Sequence, residues 1–158
     1  PQNALFALGP LIEEILNGLQ PQIEAQGIKI VVSIPQSLFL WADRELLRRV
    51  VLNLVLNALD AMPQGGTLHI EGHTQNGDLL LVVNDSGPGL DQERLQKIFE
   101  PFYTTKPDGT GLGLAVVERL VELHGGHVEA SNGPHGGARF QVVLPQRAVD
   151  PCHHNEGR

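Results

Sequence analysis

Two short apolar runs, Thr67 to His73 and Leu79 to Asn84, flank the dipeptide Asn76-Gly77. Asn-Gly between two such runs signals a tight hairpin, because both residues tolerate the positive φ that the turn requires. Other strand-like runs stand nearby, at Ile28 to Ile34, Leu38 to Ala42, His127 to Ala130 and Ala138 to Leu144. The last two are separated only by a Gly/Asn/Pro turn, so antiparallel or mixed pairing is expected. Helical spacing interrupts the strands. Leu11, Ile12, Ile15, Leu16, Leu19 and Ile23 recur on one face up to Gln26, with Pro10 in the first turn, a kink expected at Pro21 and a stop at Gly27. Asp43 is a good N-cap for a long Leu/Val-rich helix through Ala61, broken by Pro63 and Gly65-Gly66. Asp91 caps a short helix to Phe99, and Leu112 to His124 forms another, stopped by Gly125-Gly126. About three long helices and five to seven strands predict an α+β sandwich, one sheet with helices on one face.

Composition narrows the function. The chain is 41% hydrophobic but only 4% aromatic, so its core must come from Leu, Val and Ile. A formal charge of −7 argues against a nucleic-acid surface, but an acidic protein can still hold phosphate at a helix N-terminus. The one cysteine, Cys152, allows no internal disulfide and fits a reduced, cytoplasmic compartment. No apolar run approaches 18 residues and no signal peptide is visible. The chain starts at Pro1, so upstream segments are expected. Residues 1–146 read as one domain and 147–158 as a polar, frayed tail. His69 and His73 stand four apart and His153-His154 lie in the tail, and neither pair suggests a zinc centre.

Four constellations could carry chemistry. Asn53 and Asn57 lie one turn apart on the long helix, flanked by Arg49 and Asp60. Asparagine is a poor helix former, so the pair is either a solvated stripe or a set of amide oxygens for a hard cation such as Mg²⁺, which takes few protein ligands when phosphate supplies the rest. Asp85 ends an apolar strand and opens Asp85-Ser86-Gly87-Pro88-Gly89. It is either a turn former or a buried carboxylate that accepts from an exocyclic amine such as adenine's, with glycines allowing close approach to a flat base. Gly109-Thr110-Gly111-Leu112-Gly113-Leu114 opens the last long helix. It follows no strand and lacks Gly-Lys-Ser/Thr, so it is neither a dinucleotide fingerprint nor a Walker loop. It does offer main-chain N–H groups for phosphate. Phe99-Glu100-Pro101-Phe102-Tyr103-Thr104-Thr105-Lys106 places three aromatic residues in five positions, in a chain with five phenylalanines, one tyrosine and one tryptophan. Those rings are expected to pack, as in a hinged lid.

In this order the four pieces resemble the N, G1, F and G2 boxes of sensor histidine kinases. The wording around Asn57-Ala58, Met62-Pro63, Gly65-Gly66-Thr67, Leu123-His124-Gly125-Gly126 and Gly136-Gly137-Ala138-Arg139-Phe140 to Leu144-Pro145 also resembles that family, from about Leu11 to Pro145. The short lid is similar to the nitrogen-regulation type. The resemblance implies a Bergerat-type sandwich with a mixed, mostly antiparallel sheet, as in the gyrase, heat-shock chaperone and mismatch-repair ATPases. It implies ATP and Mg²⁺ as cofactors, with Asn57 on the metal, Asn53 in support and Asp85 on the adenine amine. Gly87 and Gly89 would line the base. Gly109, Thr110, Gly111, Leu112, Gly113 and Leu114 would meet phosphate, and Phe99, Phe102, Thr104 and Thr105 would form the lid. Asp60 stands where many relatives carry a cation, so Lys106 becomes the candidate for charge neutralisation. Ala138 stands where Thr is frequent. Asn53 stands where the ATPase relatives have a glutamate base, which implies kinase chemistry and poor hydrolysis.

No histidine here sits in an acceptor motif. The expected partners are therefore a phospho-acceptor histidine hairpin upstream of Pro1 and a downstream response regulator. The fragment is expected to be a monomer without membrane contact, cut from a bacterial homodimer whose membrane anchor, if any, lies upstream. Two other readings stay open: an ATP-binding regulatory module without transfer activity, and a serine kinase of the anti-sigma-factor type.

Overall fold

A computed structural model describes residues 1–103, 113–134 and 136–146. The Asn76-Gly77 hairpin forms as expected. Strands β4 (Gly66–Gln75) and β5 (Asp78–Asn84) pair antiparallel from Gln75↔Asp78 to His69↔Asn84, with φ of 54° and 83° at the two turn residues. β5 continues antiparallel to β7 (Ala138–Pro145), and β7 to β6 (His127–Asn132). On the other side β2 (Ile28–Ser33) joins β4 in parallel. The five-stranded order is β2-β4-β5-β7-β6.

Alternation assigns the two faces of this sheet. Leu68 and Ile70 of β4, Leu79, Leu81 and Val83 of β5, and Phe140, Val142 and Leu144 of β7 are buried in one apolar cluster. Helices α1 (Leu8–Gly18), α3 (Arg44–Asp60) and α5 (Gly113–Leu123) supply its other wall through Leu11, Ile15, Leu47, Leu54, Val117 and Leu120, among others. The opposite face carries Thr67, His69, Glu71 and His73 on β4, none of them buried. The architecture is the expected α+β sandwich.

Three local expectations need correction. The first helix begins at Leu8, not Leu11, and breaks at Leu19 instead of kinking at Pro21; α2 (Gln20–Gln26) then carries Pro21 in its first turn. Proline is tolerated there because the first N–H groups of a helix have no intrahelical partner. Gly27 ends α2 with φ +71°, as read. The third correction is a strand that was not expected, β1 (Ala4–Ala7), which pairs antiparallel with β3 (Phe39–Ala42). Four residues give too little alternation to read, and the partner is more than thirty positions away.

The helix bearing the asparagine pair is fixed at both ends. Asp43 caps α3: its Oδ1 accepts from the Leu46 N–H (3.1 Å) and its Oδ2 from the Gln2 N–H (2.7 Å). The Asp43 N–H in turn donates to Nε2 of His124 (3.0 Å), whose Nδ1 lies 2.8 Å from the Leu120 carbonyl. That arrangement requires the neutral imidazole with its proton on Nδ1. His124 therefore ties the end of α5 to the start of α3. At the far end the Gln26 amide donates to the carbonyls of Leu59 (2.9 Å) and Met62 (3.1 Å), which also accept from the main-chain N–H groups of Met62 and Gly65.

The bond from Gln2, then that from Leu46, holds the Asp43 carboxyl below the ordinary carboxylate range. A depressed folded-state value means stability that is present above the unfolded pKa, ~3.9 for aspartate, and lost as pH falls through the folded value. Asp43→Ala is expected to lower stability by about 1 kcal/mol at pH 7. In urea titrations the gap to wild type should close below about pH 4; a gap that is constant with pH contradicts the charged cap.

Candidate nucleotide site

Asp85 lies at the end of β5, on the core side of the sheet, and is 3% exposed. Its Oδ1 accepts from the main-chain N–H of Gly87 (2.9 Å) and of Ala138 (3.1 Å). The Asp85 N–H donates to the Ala138 carbonyl (3.0 Å). One carboxylate thus joins three segments: the strand end, the glycine loop that follows, and the first residue of β7. Among the described residues no donor is bonded to Oδ2, so that oxygen can receive a ligand amine. Burial pushes the carboxyl above its usual range, and the two main-chain bonds only partly oppose this. Asn84 supports the arrangement from the other face, donating through Nδ2 to the carbonyls of Asp85 (3.0 Å) and Ala138 (2.9 Å).

The glycines here leave no room for side chains. A Cβ on Gly87 would come within 2.7 Å of the Ala61 carbonyl at the end of α3. A Cβ on Gly137 would collide with the Asp85 carbonyl. Gly89 adopts φ +78°, which L side chains rarely reach.

Asn53 and Asn57 lie half-buried on the face of α3 that looks toward α5. The Asn53 Nδ2 is 3.5 Å from the carbonyl of Gly113, the first residue of α5. This contact brings together the N-box and the end of the G2 box. With its nitrogen turned to Gly113, the Asn53 amide oxygen has no partner among the described residues. Asp60 is the last residue of α3 and is exposed. Leu114 packs against the apolar core, leaving its main-chain N–H, in the first turn of α5, as the group available to phosphate. Among the described residues no three carboxylate, histidine or cysteine groups cluster as a metal cage. Amide oxygens alone suit a cation that arrives with phosphate and water, as Mg²⁺ does.

The aromatic segment splits. Phe99 packs edge-to-face on Phe140 of the core (centroids 6.1 Å, interplanar 84°). Phe102, expected to pack as well, is 75% exposed with φ +67°. The left-handed turn after Pro101 carries its ring away from the core that Phe99 occupies, so it anchors nothing within the described chain. Thr104, Thr105, Lys106, Gly109, Thr110, Gly111 and Leu112 lie outside the described residues, as do residues 147–158 with Cys152, His153 and His154.

Two residues at the site were not singled out in the sequence, Asn84 and Asn132. Both are polar residues at strand ends next to glycine turns, and such residues read as turn formers.

Residues 42–148 match the family model described as histidine kinase-, DNA gyrase B- and HSP90-like ATPase. The chain is 37% identical over 140 residues to the sensor histidine kinase ZraS of Salmonella typhimurium, covering 87% of this chain and 30% of that kinase's length. It superposes on the catalytic domain of histidine kinase ThkA with a TM-score of 0.86 at 32% identity, covering 92% of this chain and 97% of that one. A structure of ThkA in complex with the response regulator protein TrrA is also similar, with a TM-score of 0.82 at 28% identity, covering 94% of this chain and 43% of that one. The chain belongs to the histidine kinase-, DNA gyrase B- and HSP90-like ATPase family, as an ATP-binding catalytic domain of the sensor histidine kinase type.

Proposed function

We propose that this domain binds ATP with Mg²⁺ between α3 and α5 and transfers the γ-phosphoryl group to a histidine on a separate acceptor domain. The observation that carries the reading is the buried Asp85 carboxylate, with Oδ1 committed to the main chain and Oδ2 left for a donor. Adenine presents such a donor in its exocyclic amine, and the side-chain-free wall at Gly87 and Gly89 accepts a flat ring.

The base would bind at Asp85, so that its phosphates run toward the N-terminus of α5. Phosphoryl transfer needs positioning and neutralisation of charge more than covalent chemistry. Asn57, supported by Asn53, would hold Mg²⁺ through amide oxygen. When bound, that ion would offset phosphate charge. The main-chain N–H groups of Gly113 and Leu114 would add the helix N-terminus, and Gly109 to Leu112 would extend that cradle. Thr104, Thr105, Lys106 and Phe102 would close over the γ-phosphate, with Lys106 as its cation. Asn53 cannot take a proton from water at neutral pH, so the arrangement favours transfer over hydrolysis. The acceptor hairpin and a response regulator are the proposed partners. The second of these accords with the ThkA–TrrA complex.

Four outcomes follow from this reading. Asp85→Asn keeps the acceptor for Gly87 and Ala138 but presents a donor to the adenine amine. The mispairing costs about 1–3 kcal/mol, so ATP should bind tens-fold more weakly by calorimetry and the preference over GTP should be lost. Unchanged ATP/GTP selectivity contradicts the base role.

The same variant also tests burial. Asp85 titrates above its usual range when folded. Its contribution to stability is therefore fully present below the unfolded pKa and is lost as pH rises through the folded value. Asp85→Asn removes that pH dependence. In urea at pH 7 it should be at least as stable as wild type, the difference shrinking toward about pH 4. A variant clearly less stable at pH 7 contradicts this sign.

Asn57→Ala should weaken Mg–ATP by about tenfold or more, the scale of one charge-assisted contact, and Mg-free ADP by much less. Equal losses with and without Mg²⁺ remove the metal role. With labelled ATP the domain alone should stay unlabelled, while an acceptor hairpin of the same kinase added in trans gains label. Stable phosphohistidine on the isolated domain contradicts the division of labour.

A further inference from the structure

The glycine loop after Asp85 is bonded at its root and at its far end, with Ser86 also held by the Thr67 N–H and the Met62 sulfur and the Leu90 side chain against the core; Asp85 explains only the root. Its root is the Gly87 N–H on Asp85 Oδ1. Its far end is Leu90, whose main chain is gripped on both sides by one side chain. The Leu90 N–H donates to Asn132 Oδ1 (2.8 Å), and the Asn132 Nδ2 donates to the Leu90 carbonyl (2.8 Å). This two-point bridge spans 42 residues of sequence and imitates one rung of a β-ladder.

The bridge closes a circuit. Asn132, at the end of β6, is the register partner of Ala138. Ala138 is the residue whose N–H lies on Asp85 Oδ1. The turn between them is short and internally bonded, with Gly133 donating to Gly137 (2.7 Å) and Gly136 to Gly133 (3.1 Å). The β6–β7 hairpin end therefore holds both the root and the far end of the loop. Gly89 sits between them at φ +78°, and a Cβ there would come within 2.7 Å of Asn132 Oδ1 and 2.5 Å of the Gly136 carbonyl. Beyond Leu90, Asp91 starts α4 (Gln92–Lys97), none of whose residues is buried. The Leu90–Asn132 bridge is thus the last fixed point before the exposed segment.

We propose that Asn132 is a positioning residue of the nucleotide site. Its amide latches Leu90 and so holds Gly87 to Gly89 in the conformation that receives the base. The proposal rests on reading Asp85 as the base-binding group. Asn132 is exposed and outside the apolar core, so its substitution loosens the loop and leaves the sandwich intact. A loosened loop populates the competent conformation for only part of the time, and apparent affinity falls by that fraction.

The test is Asn132→Ala, with Asn132→Asp, which keeps the acceptor for the Leu90 N–H but lacks the donor to its carbonyl. Amide exchange of the domain without nucleotide and calorimetry with ADP, ATP and GTP are read together. In Asn132→Ala, Leu90 should exchange faster at unchanged melting temperature. ADP and ATP affinities should fall together by about three- to tenfold, the scale of one or two exposed hydrogen bonds, and the ATP/GTP ratio should narrow. Asn132→Asp should lose no more than the alanine variant. Two results overturn the latch: wild-type exchange at Leu90 in Asn132→Ala, or faster exchange with unaltered affinities. Should wild type bind no adenine nucleotide at all, the base-binding reading itself falls and the latch with it. Binding by wild type that is equal in Asn132→Ala removes the latch alone.

Discussion

The site depends on where one buried carboxylate sends its two oxygens. Asp85 sits buried at the end of β5, where an ionised group is unfavourable unless it is bonded. Two main-chain N–H groups, from Gly87 and Ala138, meet that need through Oδ1. The same bonds fix the glycine loop against β7. Bonding Asp85 and shaping the loop are therefore a single event. Glycine at 87 and 137 follows from it, because a side chain at either position would meet the main chain of Ala61 or of Asp85.

The helices answer a different constraint, the spacing of α3 and α5. Their packing is apolar, through residues such as Leu54, Val117 and Leu120, and apolar contact does not specify alignment along the axes. The polar ties do. His124 bonds the start of α3 from the end of α5, and Asn53 reaches the carbonyl of Gly113 at the other end of α5. Gln26 adds a stop at the end of α3. Together these set the asparagine pair opposite the helix N-terminus that would face phosphate.

Features governed by local chemistry were legible in the sequence. The turn at Asn76-Gly77, the caps at Asp43 and Asp91 and the left-handed stop at Gly27 each depend on residues within a few positions, and each stands where it was read. Features governed by distant partners were not. β1 exists because of β3, β2 runs parallel to β4 across nearly forty residues, and Asn132 matters because Leu90 lies opposite it. Phe102 shows the limit of composition as a guide. Scarce aromatic residues suggested packing, yet only Phe99 reaches Phe140, and the turn at Pro101-Phe102 leaves the second ring exposed. The asparagine pair stood out because asparagine is a poor helix former, whereas Asp85 before glycine also reads as a turn former and was singled out by the order of the four motifs.

The claim that nucleotide binds across Asp85, α3 and the start of α5 is tested most directly by mapping amide chemical shifts. The measurement is a titration of the domain with a non-hydrolysable ATP analogue and Mg²⁺. The account predicts shifts concentrated at the main-chain amides of Gly87, Gly89 and Gly113 and the side-chain amides of Asn53 and Asn57, with the Asn57 side chain responding only when Mg²⁺ is present. Shifts confined to the opposite face of the sheet, at Thr67, His69 and Glu71, with those amides unmoved, would contradict it.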